Sequence, residues 1–216
     1  FVEGGIDSND FTAGILNLTL NGVNIDVDRT YVGAVAGHVE NAYVCNIDIT
    51  GHSSINGKVS VGGIIGSADA SVIQSCTTSE DVTVSSKNNE NSYSFGGIVG
   101  TAESTNTTGG CRLGAIIECK NNADVSAYLT LAGMGGIAGS IQGPAPFVIY
   151  GCRNNGDVEI TGNPEITTAF RAVAGGIVGM FPGGTDNVIA NCENTGSVTS
   201  SSTQKSGSIA GIVNYY

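Results

Sequence analysis

Ala174-Gly175-Gly176-Ile177-Val178-Gly179 recurs along the chain. Earlier copies are Val32-Gly33-Ala34-Val35-Ala36-Gly37, Val61-Gly62-Gly63-Ile64-Ile65-Gly66, Phe95-Gly96-Gly97-Ile98-Val99-Gly100 and Met134-Gly135-Gly136-Ile137-Ala138-Gly139. A sixth is Ile209-Ala210-Gly211-Ile212-Val213-Asn214. Such self-similarity is the signature of a repeat architecture. With Val35, Ile64, Ile98, Ile137, Ile177 and Ile212 as markers, the copies lie 29, 34, 39, 40 and 35 residues apart. Stacked helical hairpins keep a stricter period and do not tolerate this much Gly, Thr, Val and Ser. Short strands do, because extra residues bulge out at polar corner loops.

Two further pieces follow each glycine piece. One ends on a cysteine: Ile73-Gln74-Ser75-Cys76, Ile116-Ile117-Glu118-Cys119, Ile149-Tyr150-Gly151-Cys152 and Ile189-Ala190-Asn191-Cys192. Cys45 is assigned the same place in the first unit. The other piece begins at Asp81-Val82, Asp124-Val125, Asp157-Val158 and Ser197-Val198. Three strands per unit, each stacked on its equivalent in the next unit, predict an all-β chain. The expected form is a right-handed parallel β-helix (solenoid) of about five to six three-stranded coils, the hand being the usual one for parallel crossovers. Residues 1–30 read as an N-terminal partial coil or cap. In it Ile15–Leu20 and Val23–Val27 alternate apolar and polar, as half-buried strands do, and Phe1–Asp10 is expected to act as a lid. The repeats then run 31–58, 59–92, 93–130, 131–170 and 171–205, with a partial copy at 206–216.

In that arrangement the markers form one internal ladder. Ile73, Ile116, Ile149 and Ile189 form a second, and Val82, Val125, Val158 and Val198 a third. The cysteines pack as small buried hydrophobes; their spacings (31, 43, 33 and 40) do not resemble zinc-ligand pairs. Cys111 lies off the column, and a Cys111–Cys119 bridge is the alternative to a free thiol there. Two residues beyond each cysteine, Thr78, Asn121, Asn154 and Asn194 are expected to stack and bond one another. Gly156 and Gly196 follow, and a positive φ at a corner is their expected reason.

The 216 residues carry 19 acidic and 8 basic side chains, a net charge of −11. No Lys/Arg cluster offers a nucleic-acid footprint, and no apolar run reaches the length of a spanning helix. The 33 glycines follow no collagen period. Because the chain opens on Phe1, we expect a leader or upstream domain to have been removed.

Two sets of residues are candidates for function. Asp81, Asp124 and Asp157 are expected to stack on an outer edge, where like charges need solvent or a bridging cation. Ca²⁺ is the ion such carboxylates would take, although a solvated edge without any cofactor is the simpler expectation. The second set is the apolar phase of the glycine strand opposite its markers: Val61, Ile65, Phe95, Val99, Met134, Val178 and Ile209. A strand apolar on both faces is normally covered on both. This one is expected to be capped by a loop, another segment or another protein, and if bare it is an interaction stripe.

Catalytic signatures are missing. No G-x-G-x-x-G opens a helix and no phosphate-binding G-x-x-x-x-G-K-[ST] occurs. Neither His38 nor His52 sits beside a nucleophile motif. Asp48, Glu80, Asp81, Asp124, Asp157 and Glu159 are the available acids, and they obey the repeat where a catalytic site would break it. A carbohydrate-active β-helix enzyme, lyase or hydrolase, is the alternative to a non-catalytic module.

The glycine copies, each followed by Ile-x-x-Cys-x-Asn-x-Gly-x-Val (best kept from Ile189 to Val198), resemble GLUG-type repeats over roughly residues 31–216. Such repeats occur in bacterial surface and secreted proteins, including adhesin-like proteins of Bacteroidetes and the non-catalytic region of immunoglobulin A-cleaving peptidases. The resemblance implies an extracellular or cell-surface setting and a role in adhesion, display or ligand binding. It also implies a host or neighbouring-cell glycan or protein as partner, further domains in the same chain, and no catalytic residue.

Overall fold

In the computed structural model the residues described are 2–3, 13–86, 93–107, 110–128, 133–161, 173–181, 186–200 and 209–215. They form strands, bends and turns, with no helix among them. Four parallel sheets account for nearly all the strands.

Sheet I contains Ala13–Asn21 and Ala42–Thr50, followed by the split strands Val72–Gln74/Thr77–Thr78, Gly114–Ile117/Lys120–Asn121, Phe147–Tyr150/Arg153–Asn154 and Val188–Ala190/Glu193–Asn194. Sheet II is built from Asn24–Asp26, Ser53–Gly57, Val82–Ser86, Asp124–Tyr128, Val158–Thr161 and Val198–Ser200. Tyr31–Gly33, Ser60–Gly62, Ser94–Gly96, Gly133–Gly135, Val173–Gly175 and Ile209–Ala210 make sheet III. Sheet IV holds Val2–Glu3, Ala36–Glu40, Ile65–Asp69, Val99–Glu103, Ala138–Gln142, Val178–Phe181 and Val213–Tyr215. The chain visits I, II, III and IV in that order in six successive circuits. An antiparallel hairpin, Thr105–Thr107 with Gly110–Arg112, lies between the third and the fourth. Residues 14–27 belong to a complete first circuit, and of the expected lid only Val2–Glu3 is described, paired to Val39–Glu40.

The glycine piece is not one strand. It bends after Gly62, Gly96, Gly135 and Gly175, passing from sheet III to sheet IV. There are therefore four strand sheets per circuit where three were expected. The marker residues sit in the bend, and each marker carbonyl from Ile64 onward accepts two N–H groups from the preceding circuit. Ile98 O, for example, takes Ile64 and Ile65 N–H, and Ile137 O takes Ile98 and Val99 N–H, all at 3.0–3.1 Å.

The two glycines have different reasons. A Cβ on Gly96 or Gly135 would strike the carbonyl of Val99 or Ala138 across the bend. A Cβ on Gly97, Gly136 or Gly176 would land in the carboxamide of Asn121, Asn154 or Asn194. The glycine corner thus packs straight onto the asparagine column.

A second corner explains the Ile-x-x-Cys spacing. Asn17, Asn46, Ser75, Glu118, Gly151 and Asn191 all have φ between 51° and 67°. One left-handed residue breaks the two-residue alternation of a strand, so residues three apart, such as Ile73 and Cys76, both point inward. Both are fully buried. The ladder Ile73–Ile116–Ile149–Ile189 is in register, as expected, and extends back through Val44 and Ile15.

The valine ladder differs at one point. Val125 pairs with Val84, not Val82, because the second unit has two more residues between its cysteine and sheet II. Val82, also buried, lies beside Ser53. Gly156 and Gly196 do not have positive φ; a Cβ there would collide with the backbone of the preceding circuit, Ala123 O and Gly156 O respectively.

Candidate functional site

The expected apolar stripe is interior. Val61, Ile65, Phe95, Val99, Met134 and Val178 are all fully buried; the side chain of Ile209 lies outside the described residues. The bend turns both phases of the glycine piece inward. Sheets III and IV also pack on each other: Ser60 Oγ donates to Gly66 O (2.7 Å) and lies 2.8 Å from Thr101 Oγ1, while Ser94 and Ser140 hydroxyls meet at 2.6 Å. The covering segment is the chain's own neighbouring sheet.

The three aspartates do not form one column. Asp124 is in register with Thr83 in the circuit before, so Asp81 falls two residues short, 3.8 Å from exposed His52. Asp124 Oδ1 accepts the N–H of Asp157 (2.9 Å), and Asp157 Oδ1 accepts the N–H of Ser197 (2.8 Å). These carboxylates tie successive circuits together. No group of three or more His, Cys, Asp or Glu converges among the described residues.

A different acidic column was missed. Glu40, Asp69 and Glu103 pair in register on sheet IV and lead to Gln142. Each sits five residues after its marker, a constant offset that could have revealed it. Burial pushes the Glu103 carboxyl above the ordinary glutamate range, the Asp69 carboxylate adds to this, and His38 opposes it.

Thr78, Asn121, Asn154 and Asn194 do stack. Thr78 Oγ1 donates to Asn121 Oδ1 (2.5 Å), Asn121 Nδ2 to Asn154 Oδ1 (2.7 Å) and Asn154 Nδ2 to Asn194 Oδ1 (2.7 Å). The second amide hydrogens reach Ala123, Gly156 and Gly196 carbonyls at 2.8–2.9 Å. Thr78, Asn121 and Asn154 are fully buried, so these bonds satisfy groups that would otherwise be costly.

The cysteine column has four members. Cys76, Cys119, Cys152 and Cys192 occupy one register position, with Ile47 in that position in the circuit before. Cys45 pairs with Gln74 instead and is half-buried. Cys119 is a free thiol, so no bridge to Cys111 forms, and the Cys111 side chain lies outside the described residues. Each column sulfur approaches the carbonyl two residues before it (3.2–3.5 Å) and an isoleucine or valine carbonyl of the preceding circuit (3.5–3.8 Å). Contact with the Cys119 thiol lowers the Cys76 and Cys152 thiols, and burial raises Cys119.

The surface that is apolar and open is the outer face of sheet I. Two register columns run along it: Gly14–Tyr43–Val72–Ala115–Val148–Val188 and Leu16–Cys45–Gln74–Ile117–Tyr150–Ala190. Leu16 is 52% exposed, Val188 46% and Tyr150 44%. Tyr43 Oη donates to Gln74 Oε1 (2.7 Å), fixing that ring on the surface. The neighbouring column is polar: Asp48, Thr77, Lys120, Arg153 and Glu193, with Arg153 and Glu193 paired. Among the described residues no helix is long and apolar enough to cross a membrane. No protein-family model, curated protein or solved structure matches the chain.

Proposed function

We propose that the chain is a right-handed parallel β-helix of GLUG-type repeats, acting as a non-catalytic module for adhesion, display or ligand binding in a secreted or cell-surface setting. The observation that carries this reading is the outer face of sheet I, a mostly apolar pair of columns bordered by mixed charges, on which Leu16, Tyr150 and Val188 are exposed and Tyr43, Val72, Ile117 and Val148 half-buried. Exposed apolar residues grouped on one face mark contact sites. The partner is a glycan or protein, with no Ca²⁺ or other cofactor required. A glycan array run beside a depolymerisation assay tests it. Retention of a glycan without shortening, lost in Leu16→Ser/Tyr150→Ser, is the expected result; shortened polysaccharide would overturn the non-catalytic reading.

One observation favours a second reading, a carbohydrate-active enzyme. Asp69 and Glu103 are adjacent carboxylates, and burial together with the Asp69 charge raises the Glu103 carboxyl, as the acid member of a glycosidase pair requires. Depolymerisation by the native chain that disappears in Glu103→Gln is the result this reading needs.

A further inference from the structure

We infer that the column Cys76–Cys119–Cys152–Cys192 holds soft monovalent metal ions, Cu(I) or its redox-inert counterpart Ag(I), each in two-coordinate linkage between thiolates of adjacent circuits. The register places the four cysteines directly opposite one another. Gln74↔Ile117 and Thr77↔Lys120 bracket the first pair, Ile117↔Tyr150 and Lys120↔Arg153 the second, and Tyr150↔Ala190 and Arg153↔Glu193 the third. All four sulfurs face the same pair of carbonyls, one in their own circuit and one in the circuit before. Equivalent sulfurs therefore follow the strand spacing of about 4.8 Å.

Two metal–thiolate bonds of the zinc–thiolate length, about 2.3 Å each, placed end to end span about 4.6 Å. A linear S–M–S unit thus fits between neighbouring circuits with almost no movement of the backbone. A disulfide would require the sulfurs to close to about 2.05 Å. Zinc would require four ligands around one point, whereas no group of three converges among the described residues. Thiolate sulfur is the ligand that selects Cu(I). The exchange balances without a redox step: two thiols and one M⁺ give one [RS–M–SR]⁻ unit and two protons. The column ends against Ile47, and half-buried Cys192 at its other end is the point of entry. Four sulfurs give two sites, Cys76/Cys119 and Cys152/Cys192.

The test is titration of the full chain with Ag(I) in a Cys45→Ser/Cys111→Ser background, where only the column thiols remain. Proton release, near-ultraviolet sulfur–metal absorption and far-ultraviolet circular dichroism are followed together. The expected end point is two Ag(I) and four protons per chain with the strand spectrum unchanged, and excess Zn(II) does not compete. Cys192→Val lowers the stoichiometry from two to one, and Cys119→Val does the same while leaving the entry pair intact. No uptake by the folded chain, uptake only with loss of the strand spectrum, or a stoichiometry indifferent to both variants would each overturn the assignment.

Discussion

Replacing Gly136 with alanine tests how tightly the glycine corner is fitted to the asparagine column. The new Cβ would lie closer than 3.0 Å to three atoms of the Asn154 carboxamide. That group is fully buried and makes three hydrogen bonds. It accepts from Asn121 (2.7 Å) and donates to Asn194 (2.7 Å) and Gly156 (2.8 Å). Either the amide is displaced and these bonds go, at a net of about 1 kcal/mol each, or the corner shifts at an overpacking cost of about 1–3 kcal/mol. The substitution should therefore cost about 2–3 kcal/mol. Urea unfolding followed by circular dichroism measures it. Gly211→Ala is the control, since nothing lies within 4 Å of a Cβ there; it should stay within about 0.5 kcal/mol of the parent. In an Asn154→Ser background, where the shorter side chain leaves room, the cost of Gly136→Ala should fall below about 1 kcal/mol, a coupling typical of residues in contact. If Gly136→Ala is as mild as Gly211→Ala, or if its cost is unchanged in the Asn154→Ser background, the corner-on-column packing is wrong.

Three other outcomes follow from the same geometry. Val99→Asp should unfold the chain or cost at least about 3 kcal/mol, because it buries an unpaired charge, whereas Leu16→Ser and Tyr150→Ser on the open face should each cost less than about 1 kcal/mol; thermal melts compare them. Glu103 has a raised folded-state pKa, so its contribution to stability is fully present below the ordinary glutamate value of about 4.3 and is lost as pH rises through the folded value. Glu103→Gln should remove that loss, and urea midpoints of the two proteins should converge in acid and separate toward neutrality, with the variant the more stable. Thiol-reagent kinetics on the folded chain should show Cys45 reacting ahead of Cys76, Cys119 and Cys152, which are buried; in denaturant at least five thiols should titrate.

Much of the stacking is legible in the residues. Ile73, Ile116, Ile149 and Ile189, and Asn121, Asn154 and Asn194, announce their columns because chemistry and offset repeat together. The bend at Gly62–Gly63 does not announce itself. Val61 and Ile65 read as one face of a strand and Ile64 as the other, and only a corner between sheets III and IV makes all three interior. The two extra residues before Val84 shift Val82 and Asp81 out of register, and similar local sequences conceal the shift. Cys45 looks like a column member, yet Asn46 carries the corner one residue after it, whereas Ser75 precedes Cys76. The open face of sheet I was overlooked for a related reason. Tyr43, Val72, Val148 and Val188 adjoin buried isoleucines and valines in sequence, so an outward apolar residue looks like more core.

The stacking of successive circuits is tested most directly by distances down one column. Leu16, Gln74, Tyr150 and Ala190 share a register position on the outer face of sheet I. Spin labels placed at Leu16 and Tyr150, four strands apart, should lie about 19 Å from each other, and labels at Leu16 and Ala190, five strands apart, about 24 Å, from a strand spacing of about 4.8 Å. Pulsed electron–electron resonance should thus show narrow distributions that grow by one strand spacing per circuit. Broad distributions, or separations beyond about 30 Å that follow sequence distance, are incompatible with strands of this spacing stacked in register.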